Sequence, residues 1–146
     1  MAAIKATTIY SYGDPVFGRV TLPKKTAADV LEVGHFLKFT ATGVELTDAT
    51  ADDATFVGIC GTDSDGADGP SNILVYQQCI IEAPSVSVAY NLGDGLSLVV
   101  ADAATLDDSA PLLNVVCWAW KDYTAVTTSV KVLVDVRALG KLYPTD

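Results

Sequence analysis

Few residues in this chain are of a type and spacing that could do chemistry. The most motif-like stretch is Thr62-Asp63-Ser64-Asp65-Gly66-Ala67-Asp68-Gly69, which alternates carboxylates around a glycine as a Ca²⁺ loop does. The match fails in detail. The fifth loop position is Ala67, the twelfth is Leu74 where a bidentate Glu is required, and the glycine is displaced. A polar hairpin loop is the better reading. His35, the single histidine, lies in Gly34-His35-Phe36-Leu37-Lys38 with no GxSxG motif to pair with. Cys60, Cys79 and Cys117 sit singly in apolar stretches without CxxC spacing, the pattern of small core residues rather than nucleophiles or zinc ligands. Gly93-Asp94-Gly95 and Gly58-Ile59-Cys60-Gly61 precede no helix, so they read as turns and bulges rather than phosphate cradles. Trp118 and Trp120 share one strand face, where they would pack in a core or subunit interface or stack a sugar or base. No catalytic residue, cofactor site or metal site is expected, and the chain does not read as an enzyme.

The elements that must position these residues are strands. Period-two alternation is clearest at 126–136, where Val126, Thr128, Val130, Val132, Val134 and Val136 share one face. Residues 113–121 are apolar on both faces, as in a central strand or one that meets another subunit. Long strands are predicted at 72–82 and, across a break at Glu82-Ala83-Pro84, at 85–90. Shorter ones are predicted at Val16–Leu22, His35–Thr40, Gly43–Leu46, Thr55–Gly61 and Leu96–Val100. Turn residues punctuate them at Thr42-Gly43, Gly61 to Pro70, Asn91 to Gly95 and Ser109 to Pro111. One short helix is predicted over Thr26–Val33, capped by Thr26 and ended by Gly34, and a second over Ala103–Asp108. The fold class is therefore all-β, a barrel- or sandwich-like single domain with one or two short helices. Residues 1–23 read either as an extended N-terminal arm ahead of a 24–146 domain or as the first hairpin of that domain's own sheet.

With 146 residues the chain has room for one domain with a real core. Its formal charge of −9 opposes binding to a phosphate backbone, so no direct nucleic-acid partner is expected. The charge is unevenly placed. Between Lys38 and Lys121 there is no base across 82 residues and there are twelve acids; the flanks hold all nine bases and six acids. Either this is a solvated acidic surface, or it is a polarised molecule whose ends dock on something acidic. An odd cysteine count without framework spacing suits a reducing cytosol. No signal-like segment and no run of about 18 apolar residues is present, so no membrane partner is expected.

One set of segments resembles a known family. Val33-Gly34-His35-Phe36-Leu37, Gly43-Val44-Glu45-Leu46, Phe56-Val57-Gly58-Ile59, Val75 to Ile81 and Gly93-Asp94-Gly95-Leu96 are similar to the turn-and-strand motifs of the small capsid decoration, or cement, proteins of tailed bacteriophages. Independently of the family, Gly34 suits a turn with positive φ, and Gly58 suits a strand position where another backbone passes closely. The resemblance implies a β-barrel-like structural protein made in the host cytoplasm and carried on the outer surface of the virion. It would be a homotrimer, without cofactor, that binds the major capsid protein and stabilises its expanded lattice. The partner-binding residues expected on that basis are Ile4, Lys5, Ile9, Tyr10, Tyr12, Phe17 and Arg19, with Lys24 and Lys25 nearby. The competing reading is a receptor- or carbohydrate-binding β-domain of a tail or fibre, using Trp118, Trp120 and the tyrosines as a stacking platform.

Overall fold

Alternating Val, Ile and Leu side chains can all be buried only if each strand turns one face to a shared interior, and that requirement organises the molecule. The structure, a computed structural model, describes residues 3–13, 18–48, 50–99, 105–108 and 114–136; Phe17 and the turn expected at Ser109 to Pro111 lie outside the described residues. In chain order the strands are β1 (Thr8–Ser11), β2 (Arg19–Pro23), β3 (Val30–Leu31), β4 (Phe36–Thr40), β5 (Gly43–Leu46), β6 (Phe56–Cys60), β7 (Ser64–Asp65), β8 (Asn72–Tyr76), β9 (Gln78–Val88), β10 (Gly95–Val99), β11 (Thr105–Asp108), β12 (Cys117–Ala119) and β13 (Thr127–Asp135). Among the described residues, Thr50–Thr55 and Gly66–Asp68 are short 3-10 segments that decorate the strands.

Strands β9, β11, β10, β12 and β13 pair in that order, and β13 returns to β9, which closes a five-stranded barrel. Cys79, Ile81 and Ala83 of β9 point inward with Leu96 and Leu98 of β10, Leu106 of β11, Cys117 and Ala119 of β12, and Val130, Val132 and Val134 of β13. Tyr90 is the largest of the fully buried side chains among the described residues; its hydroxyl donates to the carbonyls of Val86 at 3.2 Å and Leu106 at 3.4 Å. A second sheet, β2-β8-β6-β4-β5, curls until Lys24 bridges Val44 of β5. It encloses Leu31, Leu37, Val44, Val57, Cys60, Ile73 and Val75. Strand β6 lies between the two cores. Its pairing with β4 shifts register, a bulge that places Phe56 and Ile59 in the barrel core and Val57 and Cys60 in the second. The bulge falls at Gly58, with φ +139°, and Gly34 has φ +101°, both as their sequence contexts require.

Several expectations are corrected. Residues Thr26–Val33 are not a helix: the Asp29 amide donates to the Thr26 carbonyl at 3.0 Å in a single turn, and Val30–Leu31 then pairs with Ser64–Asp65. The carbonyls of Ala27 and Asp29, which a helix would use for its own ladder, instead accept from the Lys24 ammonium, as does the Gly66 carbonyl, each at 2.9 Å. Of the second expected helix, residues 105–108 are β11, paired with β10 from Leu96–Asp108 to Val99–Thr105; Ala103 and Ala104 lie outside the described residues. The strand expected over 72–82 divides at Gln77, where the amides of Gln77 and Gln78 both donate to the Gly18 carbonyl. The break expected at Pro84 is spanned by β9, because β13 shifts register between Thr127 and Ser129 beside it. Val126, expected on the valine face, lies just outside β13 and is 64% exposed.

Residues 3–13 and 18–23 belong to the body. Ile4 and Ala6 alternate with exposed Lys5 and Thr7, so they point into the barrel core. The Phe36 amide donates to the Ile4 carbonyl at 3.0 Å and the Ala6 amide to Gly34 at 2.8 Å. Strand β1 then runs along β9, and β2 along β8, so the two do not form a hairpin with each other.

The Lys24 cage predicts a stability effect that sequence alone would not suggest. Lys24→Met removes the donor from three carbonyls around a nearly buried side chain and is expected to cost about 3 kcal/mol in urea unfolding. A loss below about 1 kcal/mol would show that water replaces the ammonium without penalty.

Candidate interaction face

The residues singled out for chemistry are engaged in holding the fold. In the Thr62–Gly69 loop, Asp63 accepts from the Val33 amide at 2.8 Å, buried Ser64 donates to the Pro70 carbonyl at 2.6 Å, and the Gly66 carbonyl is taken by Lys24. His35 is half-buried, and its Nδ1 accepts from the Glu32 amide at 3.0 Å. Burial pushes its pKa below the ordinary imidazole value, which keeps that nitrogen an acceptor. Burial likewise raises the Cys60 thiol to about 11 and Cys79 to about 12, and carries Cys117 well above its ordinary value. Such thiols stay protonated at neutral pH and are poor nucleophiles. Among the described residues, no three His, Cys, Asp or Glu side chains come together as a metal would need.

Charge is organised locally. The Lys38 ammonium reaches Asp48 at 2.8 Å, Asp52 at 3.1 Å and Glu45 at 3.4 Å. Burial opposes its charge, but the hydrogen bonds it donates to Asp48 and Asp52 outweigh burial and hold its pKa above the ordinary lysine value. On β11, burial and the nearby Asp94 and Asp107 raise Asp108. This acidic part of the barrel contrasts with the wall formed by β12, β13, β9 and β1.

On that wall, cross-strand register sets outward side chains into two rows. Trp118 stands opposite Leu133, which stands opposite Ile80. In the next row the Trp120 amide donates to Lys131 at 2.8 Å, and Lys131 stands opposite Glu82, which stands opposite Thr8. Tyr10 covers the second row: its hydroxyl donates to Glu82 at 3.2 Å, and the Lys131 ammonium sits 4.5 Å from its ring centroid. Ser129 donates to the other Glu82 oxygen at 3.0 Å. Trp120 is 46% exposed and Tyr10 52%, so large rings face solvent beside a polar set already locked in place. Buried strand positions place these side chains; what they can do is bind a surface.

A second cluster lies where β2 meets β8. Arg19 stands opposite Tyr76, with its guanidinium carbon 5.5 Å from the Tyr76 ring centroid and 5.7 Å from that of Tyr12. The two rings are themselves 4.8 Å apart at 49°.

The expected partner-binding residues therefore divide. Tyr12 and Arg19 come together, and Tyr10 joins Lys131 and Glu82 on the wall. Ile4 is fully buried and Ile9 packs against the barrel core, so both are anchors of the body rather than free contacts. Lys5 is paired with Glu32 at 2.5 Å, Lys25 with Glu45 at 3.3 Å, and Lys24 is caged. Phe17 lies outside the described residues. Tyr76, Lys131 and Glu82 were not singled out by sequence reasoning. Each is unremarkable in its own strand, and only the pairing of distant strands brings it to a site.

The fold and these clusters define an all-β, closed-barrel domain with an outward aromatic wall. Compared with known proteins, the chain matches no family model. It matches no curated protein and no solved structure either.

Proposed function

We propose that this chain is a capsid decoration protein of a tailed phage: a homotrimer without cofactor that binds the outer surface of the head and stabilises the expanded major capsid protein lattice. The observation that carries the reading is the wall of β12, β13, β9 and β1, where Trp118, Leu133, Ile80, Trp120 and Tyr10 share an outer face of a barrel whose interior is already filled. A domain built so offers a surface to bind rather than a cleft to react in. The glycines within the family-like motifs support it too, since Gly34, Gly58 and Gly93 all take the positive φ that such turns need. The mechanism is mass action: a ligand that binds only the expanded shell stabilises that shell by its binding free energy, about 2.7 kcal/mol per site at a hundredfold excess over Kd. A second reading, a receptor- or carbohydrate-binding domain of a tail or fibre, is favoured by one observation, the exposed indole of Trp120 beside Lys131 and Glu82.

The test is co-sedimentation with heads assembled from the major capsid protein of the same genome. Saturable binding to expanded heads, weak or no binding to unexpanded ones, and a raised melting temperature of the decorated head are expected. Absence of binding at micromolar concentration overturns the reading. If oligosaccharides then quench or shift the tryptophan emission, the second one replaces it.

A further inference from the structure

We infer that Arg19, set against the paired rings of Tyr12 and Tyr76, is the recognition point for a carboxylate on the surface of the shell. This rests on the decoration reading and assigns one contact within it. The first reason is the state of the guanidinium. The rings of Tyr12 and Tyr76 lie within 5.7 Å of its carbon, a cation–π setting that fixes the group and leaves the donors in its plane to find acceptors. Its Nε is buried and has no hydrogen-bond partner. The adjoining Gln77 is only 2% exposed, and its side-chain nitrogen also lacks one. Gln77 is tied by its amide to the carbonyl of Gly18, the residue before Arg19. Buried donors are almost always paired in folded proteins, so two unpaired ones at one corner mark a guanidinium that its own fold leaves under-satisfied, and a partner outside the chain would reach its outer end rather than the buried Nε.

The second reason is how the other bases are used. Lys5, Lys25 and Lys38 each have a carboxylate, Lys24 has three carbonyls, and Lys121 and Lys131 lie over the rings of Tyr123 and Tyr10 on the barrel wall, away from this corner. In a chain with eighteen acids, no carboxylate among the described residues pairs with Arg19. Among the described residues its positive charge meets rings and no carboxylate, in a molecule of net charge −9. The planar fork suits a carboxylate, which accepts two parallel hydrogen bonds, and the overall charge disfavours a polyphosphate backbone as the alternative anion. Tyr12 is 43% exposed, so the cluster reaches the surface, and Tyr and Arg are among the residue types enriched where binding energy concentrates.

The experiment uses the full chain and the same expanded heads. Arg19→Met is expected to bind at least about 30-fold more weakly, with the oligomer size by light scattering and the melting curve unchanged. Arg19→Lys keeps the charge but not the fork and is expected to recover little of that loss. Arg19→Met that binds like wild type overturns the inference and leaves the decoration reading standing. Should Arg19→Met melt early, Arg19→Lys decides instead, and binding equal to wild type overturns the inference. An assembly that dissociates in Arg19→Met places the carboxylate on a second copy of the chain, which overturns the assignment to the shell. Wild-type protein that fails to bind heads at all overturns both.

Discussion

Deletion of residues 1–23 is expected to abolish the folded state rather than release an independent 24–146 body. The deletion removes Ile4, which is fully buried in the barrel core, and Ala6 beside it. It also strips β1 from β9 and β2 from β8, leaving two strand edges unpaired. Loss of one buried isoleucine side chain costs roughly 2–5 kcal/mol, and a domain of this kind has only about 5–15 kcal/mol in total. Far-ultraviolet circular dichroism with light scattering on the intact and shortened chains checks the expectation. A shortened chain that keeps its strand signal and melting temperature would make residues 1–23 a detachable arm. With collapse, docking falls to the exposed Tyr10 and Tyr12 and the half-buried Arg19, which are held by the body rather than by a detachable arm.

The second large effect is expected at Gly58. Its φ of +139° is strained for any L side chain, and a Cβ there would lie 2.4 Å from the Tyr76 carbonyl oxygen and 3.0 Å from Cγ1 of Val75. The obstacle is backbone of β8, which pairs with β6 at Ile59–Tyr76 and Cys60–Val75, so it has little room to yield. Gly58→Ala is therefore expected to cost about 3 kcal/mol or more, combining backbone strain with overpacking between two cores. Gly93→Ala is the control: its φ is +90°, but nothing lies within 4 Å of an added Cβ, so its cost is limited to strain of about 1 kcal/mol. Urea unfolding of both variants measures the difference. A Gly58→Ala chain within about 1 kcal/mol of wild type would mean that β6 and β8 do not approach as described. Because Tyr76 also backs Arg19, a Gly58→Ala chain that still folds should show a disturbed Arg19 cluster as well.

Much of the local structure is legible in the residues. Gly43–Leu46 is a strand with the bounds that its flanking turns mark, and β4, β6 and β10 fall within a residue of where alternation places them. The three cysteines are buried, as their apolar surroundings require. The cap and spacing that predict a helix over Thr26–Val33 are real local signals, but they are outweighed by a lysine that takes the carbonyls and a strand partner more than thirty residues away. The division at Gln77 was invisible for the same kind of reason. The run from 72 to 82, apolar but for its ends and Gln77-Gln78, says nothing of Gly18, whose carbonyl receives both amides at the corner.

By itself, then, the sequence determined that the chain is built of strands, which of their faces are buried, where Gly34 and Gly58 must bend the backbone, and that its chemistry-bearing residues are sparse. These follow from side-chain hydrophobicity and local sterics, which act over a few residues. Only the tertiary structure decided that β13 closes on β9 to make a barrel, that the N-terminal residues are strands of two different sheets, and that Arg19 meets Tyr12 and Tyr76. Those outcomes depend on which distant edges pair. Alternation specifies a buried face but not a partner strand, so the choice belongs to the packing of the whole chain.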